Sequence, residues 1–259
     1  MAFATVFAVG GLATQPQATL AAGKKVVIIV GPTGSKTAEY KDSARYYAKV
    51  ARGLGANVVE IYSPYATWTK VKTHAQGANI LIYLGHGNGY PSPYGSFQRY
   101  TKDGFGLNRS SGDGNSNVKY WGEYYIDRYI QMAPNAVVIL ARLCYASGNS
   151  EWGAANPTRS TAIKRVDNYG AGFLRAGAKA VFAEGITNAQ YIIKYLFTSN
   201  LTFNQIFWAS PSRTGTYRFS FKSSRTSGMV AAMDPYKPSR YYRSVIGKLT
   251  ITAAQWRDS

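Results

Sequence analysis

The chain has 259 residues, 46% hydrophobic and 16% charged, which supplies a sizeable core and excludes wholesale disorder. Its formal net charge of +18 favours polyanionic surroundings (nucleic acid, anionic wall polymers or acidic lipid surfaces) and is silent on fold. The basic residues are dispersed, twenty against ten carboxylates in residues 24–186 and ten against two in residues 187–259, a pattern of solvated surface rather than of a nucleic-acid reading head.

Residues 1–23 carry no charge. Apolar Ala2 to Leu12, with Ala21, Ala22 and Gly23 ahead of Lys24, reads as a secretory signal peptide without its basic start, or as a lone apolar arm. The run is too short to span a bilayer, so no transmembrane helix is expected, and the destination is secreted or cell-envelope associated. Lys25 to Val30 is a first buried strand. The turn after it, Gly31-Pro32-Thr33-Gly34-Ser35-Lys36-Thr37, lacks the glycine spacing that lets a P-loop cradle phosphate, so no nucleotide site is expected there.

Glu39 to Leu54 has helical spacing, with apolar or aromatic residues at Tyr40, Ala44, Tyr47, Ala48 and Ala51. Asn57 to Tyr62 is a second strand, Thr67 to Ala75 a helix, and Ala78 to Leu84 a third strand that runs into Gly85-His86-Gly87. Residues 90–120 are rich in Gly, Ser, Asn, Pro and Tyr without periodicity, a long insertion of the kind that usually serves function. Tyr120 to Met132 reads as a helix. Ala136 to Ala141 is a strand leading through Arg142 and Leu143 to Cys144, the only cysteine. Ala162 to Ala176 is helical and Ala178 to Ala183 a fifth strand. Beyond it, apolar helical segments in 189–208 and strand-like runs at 217–221, 229–233 and 244–252 complete the same domain or form a small β appendage. Strands alternating with helices predict an α/β fold with a mainly parallel sheet in residues 24–186.

That order places His86 and Cys144 at the carboxyl ends of two strands, where open α/β sheets bind their ligands. An imidazole is the usual base for a thiol, and an imidazolium beside it favours thiolate. Gly87 lets a carbonyl substrate approach the backbone, and the amides of Gly87 and Cys144 suit an oxyanion. The other reading of a lone cysteine is a small buried hydrophobe. His74 lies on a predicted helix and reads as a surface residue. Asp103, Asp113 and Glu151 are the nearest carboxylates, each able to pair with a Lys or Arg side chain of a ligand and each more readily a loop or surface charge; Glu151 is the best placed of them, seven positions after Cys144 on the loop leaving that strand. Tyr145, Asn149 and Trp152 follow Cys144 and can wall a pocket. Two histidines and one cysteine are too few for a dedicated transition-metal site, and no cofactor is expected.

Apolar strand–His86-Gly87, then an interval of some fifty residues, then apolar strand–Cys144 resembles the caspase-like cysteine peptidases, among them gingipains, clostripain and CHAT-type proteases. Gly170-Ala171-Gly172-Phe173-Leu174-Arg175-Ala176-Gly177-Ala178-Lys179-Ala180-Val181 is similar to the helix-turn-strand after the cysteine in bacterial members. The resemblance spans residues 24–186. It implies a three-layer sandwich around a mainly parallel six-stranded sheet, a His86–Cys144 dyad acting on protein or peptide substrates, and an oxyanion hole from the Gly87 and Cys144 amides. Arg142 and Leu143 stand where the family commonly has a small residue, and no P1-pocket motif matches. The competing reading is a non-catalytic module on the same fold that holds anionic cell-envelope polymers through Tyr46-Tyr47, Tyr124-Tyr125 and Tyr241-Tyr242 with neighbouring cations.

Overall fold

Five runs of the sequence lie side by side as parallel strands, and all but the edge strand 57–62 are buried on both faces. The computed structural model describes residues 23–259; the apolar segment read as a leader lies outside the described residues except for Gly23. In chain order the elements are β1 (Lys25–Val30), α1 (Thr37–Gly53), β2 (Asn57–Tyr62), α2 (Trp68–Ala75), β3 (Ile80–Leu84), β4 (Phe105–Asn108), β5 (Val118–Trp121), α3 (Glu123–Tyr129) and β6 (Val137–Ala141). They continue with α4 (Arg159–Arg175), β7 (Ala180–Glu184), α5 (Gln190–Thr198), α6 (Phe203–Trp208), β8 (Phe219–Lys222), β9 (Val230–Met233), β10 (Arg243–Gly247) and α7 (Ala253–Arg257).

The sheet runs β2-β1-β3-β6-β7-β10-β9-β8, parallel from β2 through β7 and antiparallel from β7 onward. It therefore has eight strands where the resemblance implies six. Five of the eight lie in residues 25–184 and three come from the tail. Residues after 187 add β10, β9 and β8 to the open edge of β7, because β7 has unpaired backbone groups that β10 satisfies.

Side chains alternate across the strands with period two, and both sets are buried. Val27, Ile29, Leu81, Tyr83, Val138 and Leu140 face a core shared with α2, α3 and α4. Val26, Ile28, Ile80, Ile82, Val137 and Ile139 face a second core shared with α1, α5, α6 and α7. Helices thus cover both faces of the sheet. Capping boxes at Thr202/Gln205 and Thr252/Gln255 start α6 and α7, each pair satisfying amides that the first helical turn leaves free. No described helix is long and apolar enough to cross a membrane.

The stretch 90–120, which lacks periodicity, still contains an antiparallel pair, β4 with β5. Tertiary contacts hold it: the buried Tyr83 hydroxyl accepts from the Gly106 N–H at 2.8 Å, and Phe105 and Leu107 are buried in the α2–α4 core. A four-residue strand with glycine at its second position carries too little apolar pattern to be read from sequence.

Candidate active site

Leu84 of β3 pairs with Ala141 of β6, so the two strands end level. His86 follows β3 by two residues and Cys144 follows β6 by three, both past the carboxyl edge of the sheet. The loops touch through Gly87. A β-carbon there would lie 2.0 Å from the Cys144 carbonyl oxygen and 3.1 Å from its nitrogen, so only glycine allows the two backbones to approach. His86 is exposed and Cys144 half-buried. Among the described residues neither the Gly87 nor the Cys144 amide N–H is engaged in a hydrogen bond.

Tyr83 holds the histidine side. Its hydroxyl lies 3.0 Å from the His86 carbonyl oxygen and 2.9 Å from that of Gly106, tying the loop to the hairpin. Tyr83 is the one polar-tipped residue in the strand Ile80–Leu84, and that is the only sequence signal for its role. On the cysteine side, Arg142 and Tyr145 adopt left-handed φ of 61° and 70°. The Arg142 N–H donates to Glu184 O at 2.7 Å, its carbonyl accepts from the Tyr40 hydroxyl at 3.2 Å, and its guanidinium pairs with Glu39. The Arg142 side chain therefore reaches α1. The Ala146 N–H closes that turn by donating to Cys144 O at 2.9 Å.

Partial desolvation lowers the His86 imidazole pKa from its ordinary value, although the residue as a whole is exposed. Burial, and then the Glu151 carboxylate, push the Cys144 thiol up, while the Trp152 backbone N–H directed at the sulfur works the other way. Both shifts favour a neutral imidazole and a neutral thiol over an imidazolium and a thiolate. No hydrogen bond joins the His86 ring to Cys144 among the described residues.

A cavity of about 240 Å³ adjoins Cys144, lined by Tyr40, Arg142, Glu151, Trp152, Ile186 and Tyr242 among others. Glu151 is on its wall, held by the Tyr94 hydroxyl, which donates at 2.6 Å. Trp152 is fully exposed at the rim and Asn149 is also on the wall. Two residues with the right chemistry on paper lie elsewhere. Tyr145 is buried, with the Arg165 guanidinium 4.7 Å over its ring, and does not line the cavity. Asp103 is fully buried, its Oδ1 accepting from the Tyr90 N–H at 3.0 Å, and burial raises its pKa well above the usual carboxylate range. It is not on the cavity wall; it anchors the insertion from inside. Asp113 binds Asn117 and Gly114, and His74 is exposed on α2.

Lys102 has no signal in the sequence. It is buried, and its Nζ donates to Asn88 Oδ1 at 2.9 Å, Ser92 Oγ at 3.0 Å and Tyr94 O at 3.2 Å, pinning the segment after His86. Among the described residues no three His, Cys, Asp or Glu side chains gather to hold a metal ion. In comparisons with known proteins, the sequence matches no family model and no curated protein.

Proposed function

We propose that the chain is an exported caspase-like cysteine endopeptidase in which Cys144 is the nucleophile and His86 the general base and acid. One observation carries the reading: the His86-Gly87 turn packs directly on the backbone of Cys144, beside a cavity that reaches the cysteine. Sγ forms a bond to the scissile carbonyl carbon as its proton passes to the His86 ring. The oxyanion accepts from the free amides of Gly87 and Cys144, donors that keep the same place in ground and transition states. His86 returns the proton to the leaving amine as the C–N bond breaks. It then draws a proton from the water that hydrolyses the thioester and restores the thiol. The cavity takes the P1 side chain, with Glu151 as its only carboxylate.

The test is a peptide library scanned at P1, run with the full chain, Cys144→Ala and His86→Ala. Hydrolysis by the parent chain that Cys144→Ala abolishes supports the reading. Hydrolysis that survives Cys144→Ala, or a parent chain that cleaves no member while its thiol remains alkylatable, overturns it.

A further inference from the structure

At the opposite, amino-terminal edge of the sheet, α2, α3 and the turns before β6 and β7 enclose a wide open groove of about 1100 Å³. Lys72, Arg128, Arg175 and Lys179 line it with a single carboxylate, Asp127. Asp127 accepts from Arg175 Nε at 2.9 Å and lies 3.5 Å from Arg99. Lys72, Arg128 and Lys179 have no carboxylate partner among the described residues.

The wall of this groove continues into a sheet of aromatic rings. Tyr129, 43% exposed, stacks on Tyr125 at 6.2 Å and 23°. Tyr125 meets the edge of Trp121 at 4.6 Å, and Trp121 lies flat on Trp68 at 5.1 Å. Tyr124 leads outward to Tyr100, 52% exposed, at 4.8 Å. Cations sit over these rings: Lys119 Nζ is 4.4 Å from the Trp121 centroid, the Arg99 guanidinium 5.0 Å from Tyr124 and Lys72 Nζ 5.8 Å from Tyr129. Of the three tyrosine pairs in the sequence, only Tyr124-Tyr125 belongs to such a surface; Tyr47 and Tyr241 are buried in the cores.

We infer that this groove binds an anionic polysaccharide, with acid groups against Lys72, Arg128 and Lys179 and sugar faces against Tyr129 and Tyr100. The composition argues for that ligand. Unpaired cations attract any polyanion, but exposed ring faces beside them favour a polymer that also presents apolar C–H faces, as pyranose rings do. The open shape admits a chain rather than an enclosed small molecule. The groove opens before Val137 and Lys179, at the other end of strands whose far ends carry Cys144, so polymer binding and thiol chemistry are separable and the inference is independent of the peptidase reading.

The experiment measures binding of the full chain to polygalacturonate at low salt, with neutral dextran and linear polyphosphate as comparators. The variants are Lys72→Gln/Arg128→Gln/Lys179→Gln and Tyr129→Ala, and a Cys144 alkylation rate as slow as that of the parent chain, accelerated by urea, checks that each is folded. The expected result is polygalacturonate binding that weakens with salt, falls on the order of tenfold in the triple variant, and falls in Tyr129→Ala, with polyphosphate binding unchanged by Tyr129→Ala. Undiminished binding by the triple variant overturns the groove. Polyphosphate binding as tight as polygalacturonate, or a Tyr129→Ala chain that binds polygalacturonate normally, overturns the sugar ligand.

Discussion

The Tyr94 hydroxyl donates to Glu151 Oε1 at 2.6 Å, joining the segment that follows His86 to the loop that follows Cys144. The carboxylate so held is the one whose charge disfavours the Cys144 thiolate. Removing that charge lowers the thiol pKa. Glu151→Gln is therefore expected to alkylate with iodoacetamide faster than the parent chain at any pH below the parent thiol pKa, and an unchanged pH–rate curve contradicts the coupling. Tyr94→Phe keeps the charge and loses one exposed hydrogen bond, so stability is expected to change by no more than about 1 kcal/mol.

In the proposed dyad, His86 sets the acid side of the activity profile. His86 works as a base only when neutral, and its partial burial holds the neutral form to lower pH than an ordinary histidine. The acid limb of kcat/KM is expected below pH ~6.5. His86→Ala is expected to lose about 10²–10⁴-fold and to flatten that limb. An acid limb retained in His86→Ala assigns it to another group.

Gly87→Ala places a methyl 2.0 Å from a backbone oxygen, and the backbone of Cys144 has no free rotor with which to yield. The expected destabilisation is roughly 1–3 kcal/mol by urea denaturation. Gly114→Ala, with nothing within 4 Å of the added carbon, is the matched control and is expected to shift stability by less than about 0.5 kcal/mol.

Asp103 gives stability a pH dependence of its own. Its pKa is raised on folding, chiefly by burial, so the folded chain holds the proton more tightly than the unfolded chain. Its stabilising contribution is complete below pH ~3.9 and is lost as pH rises through the folded-state value. Asp103→Asn keeps the acceptor for the Tyr90 N–H and never ionises. Its stability relative to the parent is expected to rise between pH 5 and pH 8; a difference that stays constant across that range refutes the assignment.

The order of strands and helices was legible because the chain obeys simple periodicities. Residues 25–30 and 57–62 read as strands end to end, and Tyr47, Ala48 and Ala51 fall on the buried face of the helix that their spacing marks. The position of His86 and Cys144 past two strand ends follows from the same reading. The hairpin in 90–120 did not follow, since its strands are held by Tyr83 and by the core, not by local propensity. Chain order favoured Glu151 over Asp103, since Glu151 lies on the loop leaving the Cys144 strand, but both are carboxylates in polar loops, and only burial identifies Asp103 as an inner anchor.

By itself the sequence determined the strands of the parallel sheet, and that a histidine and the single cysteine stand at its carboxyl edge. These depend on hydrophobic pattern and chain order, which are local properties. Only the tertiary structure decided that the sheet has eight strands, that Arg142 turns its side chain to Glu39, and that Glu151 and not Asp103 faces the cavity beside Cys144. Those outcomes depend on which unpaired edges and polar groups find partners far along the chain, and no local spacing encodes that.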